Sequence, residues 1–288
     1  MSDHPGLAWF RESEAGSAWL DRLPRLAEGC AEQWSLTLGE PFPYAFASLA
    51  LPATRLDGSE AVLKIQFPDH ESGLEAAALA HWDGAGAVRL FEYDADRRAL
   101  LLERCRPGTA LKELRPDDAL DVFTDLLPRL WKPAGSPFPS LADEAERWAG
   151  SLSDDFERAG RPFEQKLFDE ALDAMRTLSG TQGEQVLVNQ DLHADNVLRA
   201  RREPWLVIDP KPLVGEREFG VAAIIRGREL GHSREAVIHR LDRLTDELHV
   251  DRDRARRWAL AHTIAWAFDG DDVEPGHVEI ARWLWEAR

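Results

Sequence analysis

Cysteine is nearly missing from this chain, with Cys30 and Cys105 the only two in 288 residues. Two thiols cannot build a disulfide framework, and no Cys/His group has the spacing of a zinc site. Long apolar runs are missing too: no stretch approaches the roughly 20 residues needed to cross a bilayer. Residues 1–10, which include Asp3 and His4, lack the basic start and apolar stretch of a signal peptide. Positive charge is in short supply, since 35 Lys and Arg stand against 52 Asp and Glu for a formal net charge of −17. Such a surface repels phosphate backbones, which excludes nucleic acid and anionic membranes as expected partners. These absences together predict a cytoplasmic, reduced protein. An acidic surface would attract a cationic ligand, although it serves solubility equally well.

What is present is an ordinary globular composition, 44% hydrophobic and 30% charged, enough to build a sizeable core. Residues 7–34 read as one amphipathic helix, with Leu20, Leu23 and Leu26 at helical spacing. Strand patterns follow over 34–38, 48–51 and 61–65, the last two joined by a turn at Asp57-Gly58. A helix is predicted over 71–82, ended by Gly84 and Gly86, and then strands over 88–91 and 99–103. Beyond Pro107 the pattern becomes helical, over 111–131 and 141–179, with breaks at 133–139 and Pro162. A β-rich island at 185–188, 196–198 and 205–208 interrupts it, and helical periodicity returns from Phe219 to the C-terminus. There is no internal repeat. The simplest architecture is α+β: a small antiparallel-sheet lobe over 1–105 and a larger, mainly helical lobe over 106–288.

The chemistry concentrates in Asn189-Gln190-Asp191-Leu192-His193-Ala194-Asp195-Asn196 and in Val207-Ile208-Asp209-Pro210. Asp191 and Asn196 have the D-x-x-x-x-N spacing of a kinase catalytic loop, and Asp209 follows an apolar strand. Phosphoryl transfer needs a carboxylate to orient the attacking hydroxyl and take its proton, and oxygen ligands to hold Mg²⁺ on the nucleotide phosphates. Asp191 suits the first role; Asn196 and Asp209 suit the second. An Asp/Asn-rich turn, with Asp209 as a helix cap, would use the same residue types. Upstream, Lys64 interrupts the apolar strand 61–65, where an isolated ammonium is costly. Its expected partner is Glu75 on the next helix, with Glu71 one turn earlier as the alternative. A strand lysine paired with a helix glutamate is how kinases position the α- and β-phosphates.

These segments, together with the run 100–105, resemble the aminoglycoside phosphotransferases, and within them the streptomycin 6-kinase and hydroxyurea phosphotransferase branch. Shared runs include Trp34 with the following Leu-Thr-Leu-Gly-Glu-Pro, the stretch 82–90, and Ile208-Asp209-Pro210-Lys211 leading to Glu216. The resemblance implies a bilobal protein-kinase-like fold and ATP as phosphate donor. It also implies adenine bound to the linker backbone around Glu103 and Cys105, and an acceptor held near the end of the chain. There Asp269, Asp271, Asp272 and Glu274 stand close together, where they would meet a cationic, hydroxylated small molecule; a solvated acidic loop is the plainer alternative. The expected activity is therefore ATP- and Mg²⁺-dependent transfer to an aminoglycoside hydroxyl. A kinase for another small hydroxylated molecule and a kinase-fold binding protein stand as alternatives.

Three departures from the family pattern bear on this expectation. Asn189 and Gln190 replace the usual His-Gly before the catalytic Asp, and the turn over 43–48 has no glycine. Phe219 is followed by Gly220, where an aspartate usually braces the catalytic loop. His193 is expected to organise that loop, Cys30 and Cys105 to be structural, and Trp258, Trp266, Trp283 and Trp285 to belong to the core.

Overall fold

The structure, a computed structural model, describes residues 4–43, 46–69 and 72–287. Tyr44 and Ala45 of the glycine-free turn, and Glu71, the alternative partner of Lys64, lie outside the described residues. The chain divides into two compact units. One holds the residues up to Gly108 together with Ala200–Leu206; the other holds Thr109–Arg199 and the chain from Val207 on. Among the described residues no helix is long and apolar enough to cross a membrane.

In the first unit, the single helix expected over 7–34 is broken in two. Pro5–Glu12 forms a 3-10 helix, and α1 (Glu14–Gln33) starts afresh after Ser13, whose hydroxyl accepts the Gly16 N–H at 3.1 Å. A serine there satisfies one of the orphan donors of a new helix start, which hydrophobic periodicity alone does not register. An antiparallel sheet follows, built from β1 (Thr37–Leu38), β2 (Ser48–Thr54), β3 (Glu60–Gln66), β4 (Leu90–Asp94) and β5 (Ala99–Glu103) in the order β1-β2-β3-β5-β4. Between β3 and β4 runs α2 (Glu75–Trp82). Alternation in β3 decides what each face does. Ala61, Leu63 and Ile65 point into a core shared with Leu20, Leu23 and Ala27 of α1. Burying a side chain such as Leu63 or Ile65 contributes about 1.5–3 kcal/mol, so this face anchors the strand. The opposite parity carries Lys64 and Gln66, both buried.

The second unit is helical: α3 (Pro116–Leu130), α4 (Leu141–Arg158), α5 (Gln165–Ser179), α6 (Ala222–Arg226), α7 (Arg234–Leu248), α8 (Arg252–Ala265) and α9 (Pro275–Glu286). Ala145, Trp148, Leu152 and Phe156 of α4 are buried at helical spacing, and Ser140 caps that helix by accepting the Asp143 N–H at 3.0 Å. Strand β6 (Val186–Asn189) is buried along its length. β7 (Val197–Arg199) follows, β8 (Trp205–Val207) begins in the segment 200–206 that belongs to the first unit, and the second unit continues with β9 (Pro212–Gly215), a strand that the sequence pattern did not mark. Pro212 sits at its first position, where the missing N–H costs least. Strand β9 pairs antiparallel with β6, placing Asn189 opposite Pro212. Two very short strands, β10 (Phe268–Asp269) and β11 (Asp272–Val273), complete the unit.

Candidate active site

The buried pair expected in the first unit is present. Lys64 Nζ lies 2.6 Å from Glu75 Oε2, with side-chain exposures of 8% and 1%. Gln66 Nε2 donates to the same carboxylate oxygen at 2.6 Å. Glu75 occupies the first turn of α2, where the positive end of the helix dipole favours a carboxylate. The parity of β3 sends Lys64 and Gln66 to that one group. At the end of β5, Glu103 is held by Arg202, whose guanidinium reaches both carboxylate oxygens at 2.8–3.0 Å and also donates to the Gly84 and Ala87 carbonyls. Arg202 had no signal in the sequence, and it brings 200–206 to this unit. The Glu103 side chain is thus engaged within this unit, and the Glu103 N–H donates to the Arg89 carbonyl at 2.8 Å. Burial pushes the Cys105 thiol up to about 12, so it stays protonated at neutral pH and serves packing rather than nucleophilic chemistry.

In the second unit the pairing of β6 with β9 assembles the loop around Asp191. Asn189 Oδ1 accepts the N–H groups of Asp191 and Lys211, both at 3.0 Å, and the Gln190 N–H donates to the Lys211 carbonyl at 3.0 Å. The asparagine that departs from the usual histidine thus stitches the loop to the neighbouring strand. Asn196 Nδ2 donates to the Asp191 carbonyl and to His193 Nε2, each at 3.1 Å. Those bonds engage the amide nitrogen and leave Oδ1 as the donor atom a metal would use. The Ile208 N–H donates to the Asn196 carbonyl at 2.9 Å, which brings the backbone leading to Asp209 beside the loop. Asp209 itself adopts a left-handed conformation, φ 50°, rare for a residue with a Cβ and common where function dictates the backbone. An amide oxygen and a carboxylate are the hard donors that Mg²⁺ takes alongside substrate phosphates.

Two cations that were not singled out from the sequence face Asp191. Lys211 Nζ lies 3.3 Å from Oδ2 and Arg226 Nη2 lies 3.9 Å from Oδ1. Both rest on the Trp266 ring, at 4.9 and 4.4 Å from its centroid, so Trp266 is a cation platform rather than plain core. Burial pulls the Arg226 guanidinium down to about 10, against the attraction of Asp191 and Glu229, and it stays charged at neutral pH.

Comparison with known proteins now bears on this arrangement. The family of aminoglycoside/hydroxyurea antibiotic resistance kinases matches residues 33–272. This chain belongs to that family. It is 36% identical over 278 residues to a streptomycin 6-kinase of Streptomyces griseus, covering 93% of this chain and 89% of the relative. A hydroxyurea phosphotransferase of Kitasatospora aureofaciens is 37% identical over 280 residues, covering 93% and 79%. Among solved structures, a choline/ethanolamine kinase family protein from Mesorhizobium loti aligns with a TM-score of 0.64 over 91% of this chain and 95% of its own, at 10% identity. The fold is the protein-kinase-like one.

Within this kinase family the third departure, Gly220, has a structural reason. A Cβ at Gly220 would lie 2.6 Å from Trp131 Nε1, so an aspartate there would have to displace the Trp131 ring. A carboxylate reaches the loop from elsewhere: Glu229 Oε1 accepts the Ala194 N–H at 2.9 Å. Gly227 makes room for it, since a Cβ there would stand 2.7 Å from that oxygen. A hydrogen bond to a charged group contributes about 1.5–3 kcal/mol, or roughly 10- to 100-fold if felt in the transition state. Glu229→Ala is therefore expected to lower kcat by about that factor with both KM values nearly unchanged, whereas Glu229→Gln, which keeps an accepting oxygen, retains most activity. Steady-state kinetics on the two variants decide it; equal kcat in Glu229→Ala and the parent would remove Glu229 from the account.

The acidic segment is a tight hairpin rather than an open loop. Asp269 pairs with Asp272 across β10 and β11, and the Glu274 N–H donates to the Ala267 carbonyl at 2.8 Å. Asp269, Asp271 and Asp272 are exposed. Glu274 is already engaged, accepting from Arg228 and capping α9 through the Gly276 N–H at 3.3 Å.

Proposed function

We propose that this chain is an ATP-dependent O-phosphotransferase that modifies a hydroxyl of a streptomycin-like aminoglycoside and so confers resistance to it, working in the cytoplasm where ATP is supplied. The observation that carries the reading is the assembled loop, with Asp191, Asn196 and the backbone entering Asp209 tied together, in a chain 36% identical to a streptomycin 6-kinase. In this reading the Asp191 carboxylate orients the acceptor hydroxyl and receives its proton. Lys64, fixed by Glu75, meets the nucleotide phosphates, and the backbone of Glu103 and Cys105 meets the adenine. Asn196 and Asp209 hold Mg²⁺, which neutralises charge on those phosphates when bound. A second reading, a kinase for hydroxyurea or another small neutral hydroxylated compound, is favoured by the 37% identity to a hydroxyurea phosphotransferase. Turnover of purified protein with ATP and Mg²⁺ against a panel of aminoglycosides and hydroxyurea separates the two.

The exposed carboxylates Asp269, Asp271 and Asp272, with Glu274 beside them, are assigned to the cationic groups of that acceptor. Asp269→Asn with Asp271→Asn is then expected to raise the acceptor KM about tenfold or more, the scale of one lost charge-assisted bond. The KM for ATP should not move. The acceptor KM should also climb with salt, because exposed charges are screened beyond about 8 Å at physiological ionic strength. An acceptor KM indifferent to both salt and these substitutions would leave the hairpin as a solvated acidic turn.

A further inference from the structure

Helix α7 buries Val237, Leu241 and Leu244 on one face, and Arg240 stands on that same face with 1% of its surface exposed. A guanidinium on an apolar stripe is costly unless its charge and its N–H groups are met. Here the N–H groups are met by backbone carbonyls. Nε and Nη2 donate to the Ile225 carbonyl at 3.2 and 3.0 Å, and Nη1 donates to the carbonyls of Leu230 at 3.0 Å and Gly231 at 2.9 Å. Ile225 lies one residue short of the end of α6, where carbonyls have no partner within their own helix. Gly231 sits at φ 107°, a conformation rare for a residue with a Cβ. Burial lowers the Arg240 guanidinium to about 10, the charge of Glu229 acts against that, and it stays protonated at neutral pH.

These carbonyls bracket a short segment, Arg226 to Leu230, that carries two side chains of the candidate active site. Arg226 Nη2 faces Asp191 Oδ1 at 3.9 Å, and Glu229 Oε1 accepts the Ala194 N–H at 2.9 Å. One guanidinium thus closes both ends of the segment from which the loop around Asp191 is held. We propose that Arg240 is a positioning residue: it fixes the segment 226–230, and through Glu229 and Arg226 it sets the place of that loop and of the Asp191 carboxylate. The contacts stand by themselves; their consequence for turnover rests on the phosphotransferase reading above. A planar guanidinium with its fork of donors can span carbonyls on both sides at once, which a compact ammonium cannot do. With one end released, Glu229 no longer meets Ala194 at its present distance, and the loop presents Asp191 out of line with the acceptor hydroxyl. A misplacement of about 1 Å, caused by a change remote from the chemistry, can cost about 100-fold in rate.

The test uses the full chain and the variant Arg240→Lys, which keeps the charge, whereas a neutral residue would leave the carbonyls at both ends without donors. Hydrogen exchange followed by NMR should show the Ala194 amide exchanging about tenfold faster in Arg240→Lys, the scale of one weakened bond to a charged group. Amides of α5 should keep the parent's protection. Gly231→Ala, which displaces one of the carbonyls and leaves Arg240 in place, should shift the Ala194 amide in the same direction. In turnover, Arg240→Lys should lower kcat about tenfold with both KM values nearly unchanged. Combined with Glu229→Ala, the loss should fall well short of the product of the two single losses, because both changes act through Glu229. An Ala194 amide as protected in Arg240→Lys as in the parent would overturn the proposal. So would kcat losses that multiply in the double variant, which would mark Arg240 as an ordinary stabilising residue. If the parent phosphorylates none of the acceptors offered, the phosphotransferase reading fails, and the Ala194 exchange alone decides the role of Arg240.

Discussion

Asp191→Asn should abolish transfer, by about 10³-fold or more, and leave nucleotide binding nearly intact, while Asp209→Asn should weaken Mg²⁺-nucleotide binding itself. The separation follows from what each side chain does. Asp191 is tethered through its backbone to Asn189 and Asn196, and its carboxylate faces Lys211 and Arg226, so the amide substitution keeps the loop bonds but removes the proton acceptor. A positioned general base contributes about 10²–10⁴-fold, which sets the expected loss. Asp209 is instead a metal donor in this reading, and an amide there binds a hard cation more weakly than a carboxylate. Calorimetry with a non-hydrolysable nucleotide and Mg²⁺ on both variants checks the assignment. Matching nucleotide affinities in the two would show that their roles are not distinct.

The second large effect lies in the first unit. Lys64→Met should destabilise the protein by about 3–5 kcal/mol, because it takes the cation away from the Glu75 carboxylate, though not the Gln66 amide, in a site where the Glu75 side chain is 1% exposed. Against a total stability of about 5–15 kcal/mol, that is enough to populate unfolded chains. The double variant Lys64→Met with Glu75→Leu should recover most of the loss, since replacing both charges by apolar groups removes the stranded ion. Activity should not recover with stability, because the ammonium that meets the phosphates is gone. Urea denaturation and initial rates on the two single variants and the double give two cycles from one set of proteins. Additive losses in stability would show that the two residues do not act as a pair.

Several parts of this site were legible in the sequence for physical reasons. A lysine inside an apolar strand demands a partner, and the helix that follows supplied Glu75. The spacing of Asp191 and Asn196 reads directly because one short loop sets it. What could not be read depends on where the backbone returns. Glu229 reaches Ala194 only because Gly227 lets its carboxylate fold back, and Gly220 looked like a missing brace because Trp131 fills its space. Arg226 and Lys211 meet on Trp266 from three separate parts of the chain, a junction no local pattern encodes. The break at Ser13 and the hairpin around Gly270 escaped a reading based on hydrophobic period, since caps and two-residue strands carry almost no periodic signal.

The most direct measurement is mass spectrometry and NMR of streptomycin incubated with the purified protein, ATP and Mg²⁺, with ADP followed in parallel. The account predicts a single phosphate on one hydroxyl, formed in step with ADP and absent with Asp191→Asn. Unmodified streptomycin and other aminoglycosides, in reactions where a neutral hydroxylated compound such as hydroxyurea is phosphorylated, would contradict it.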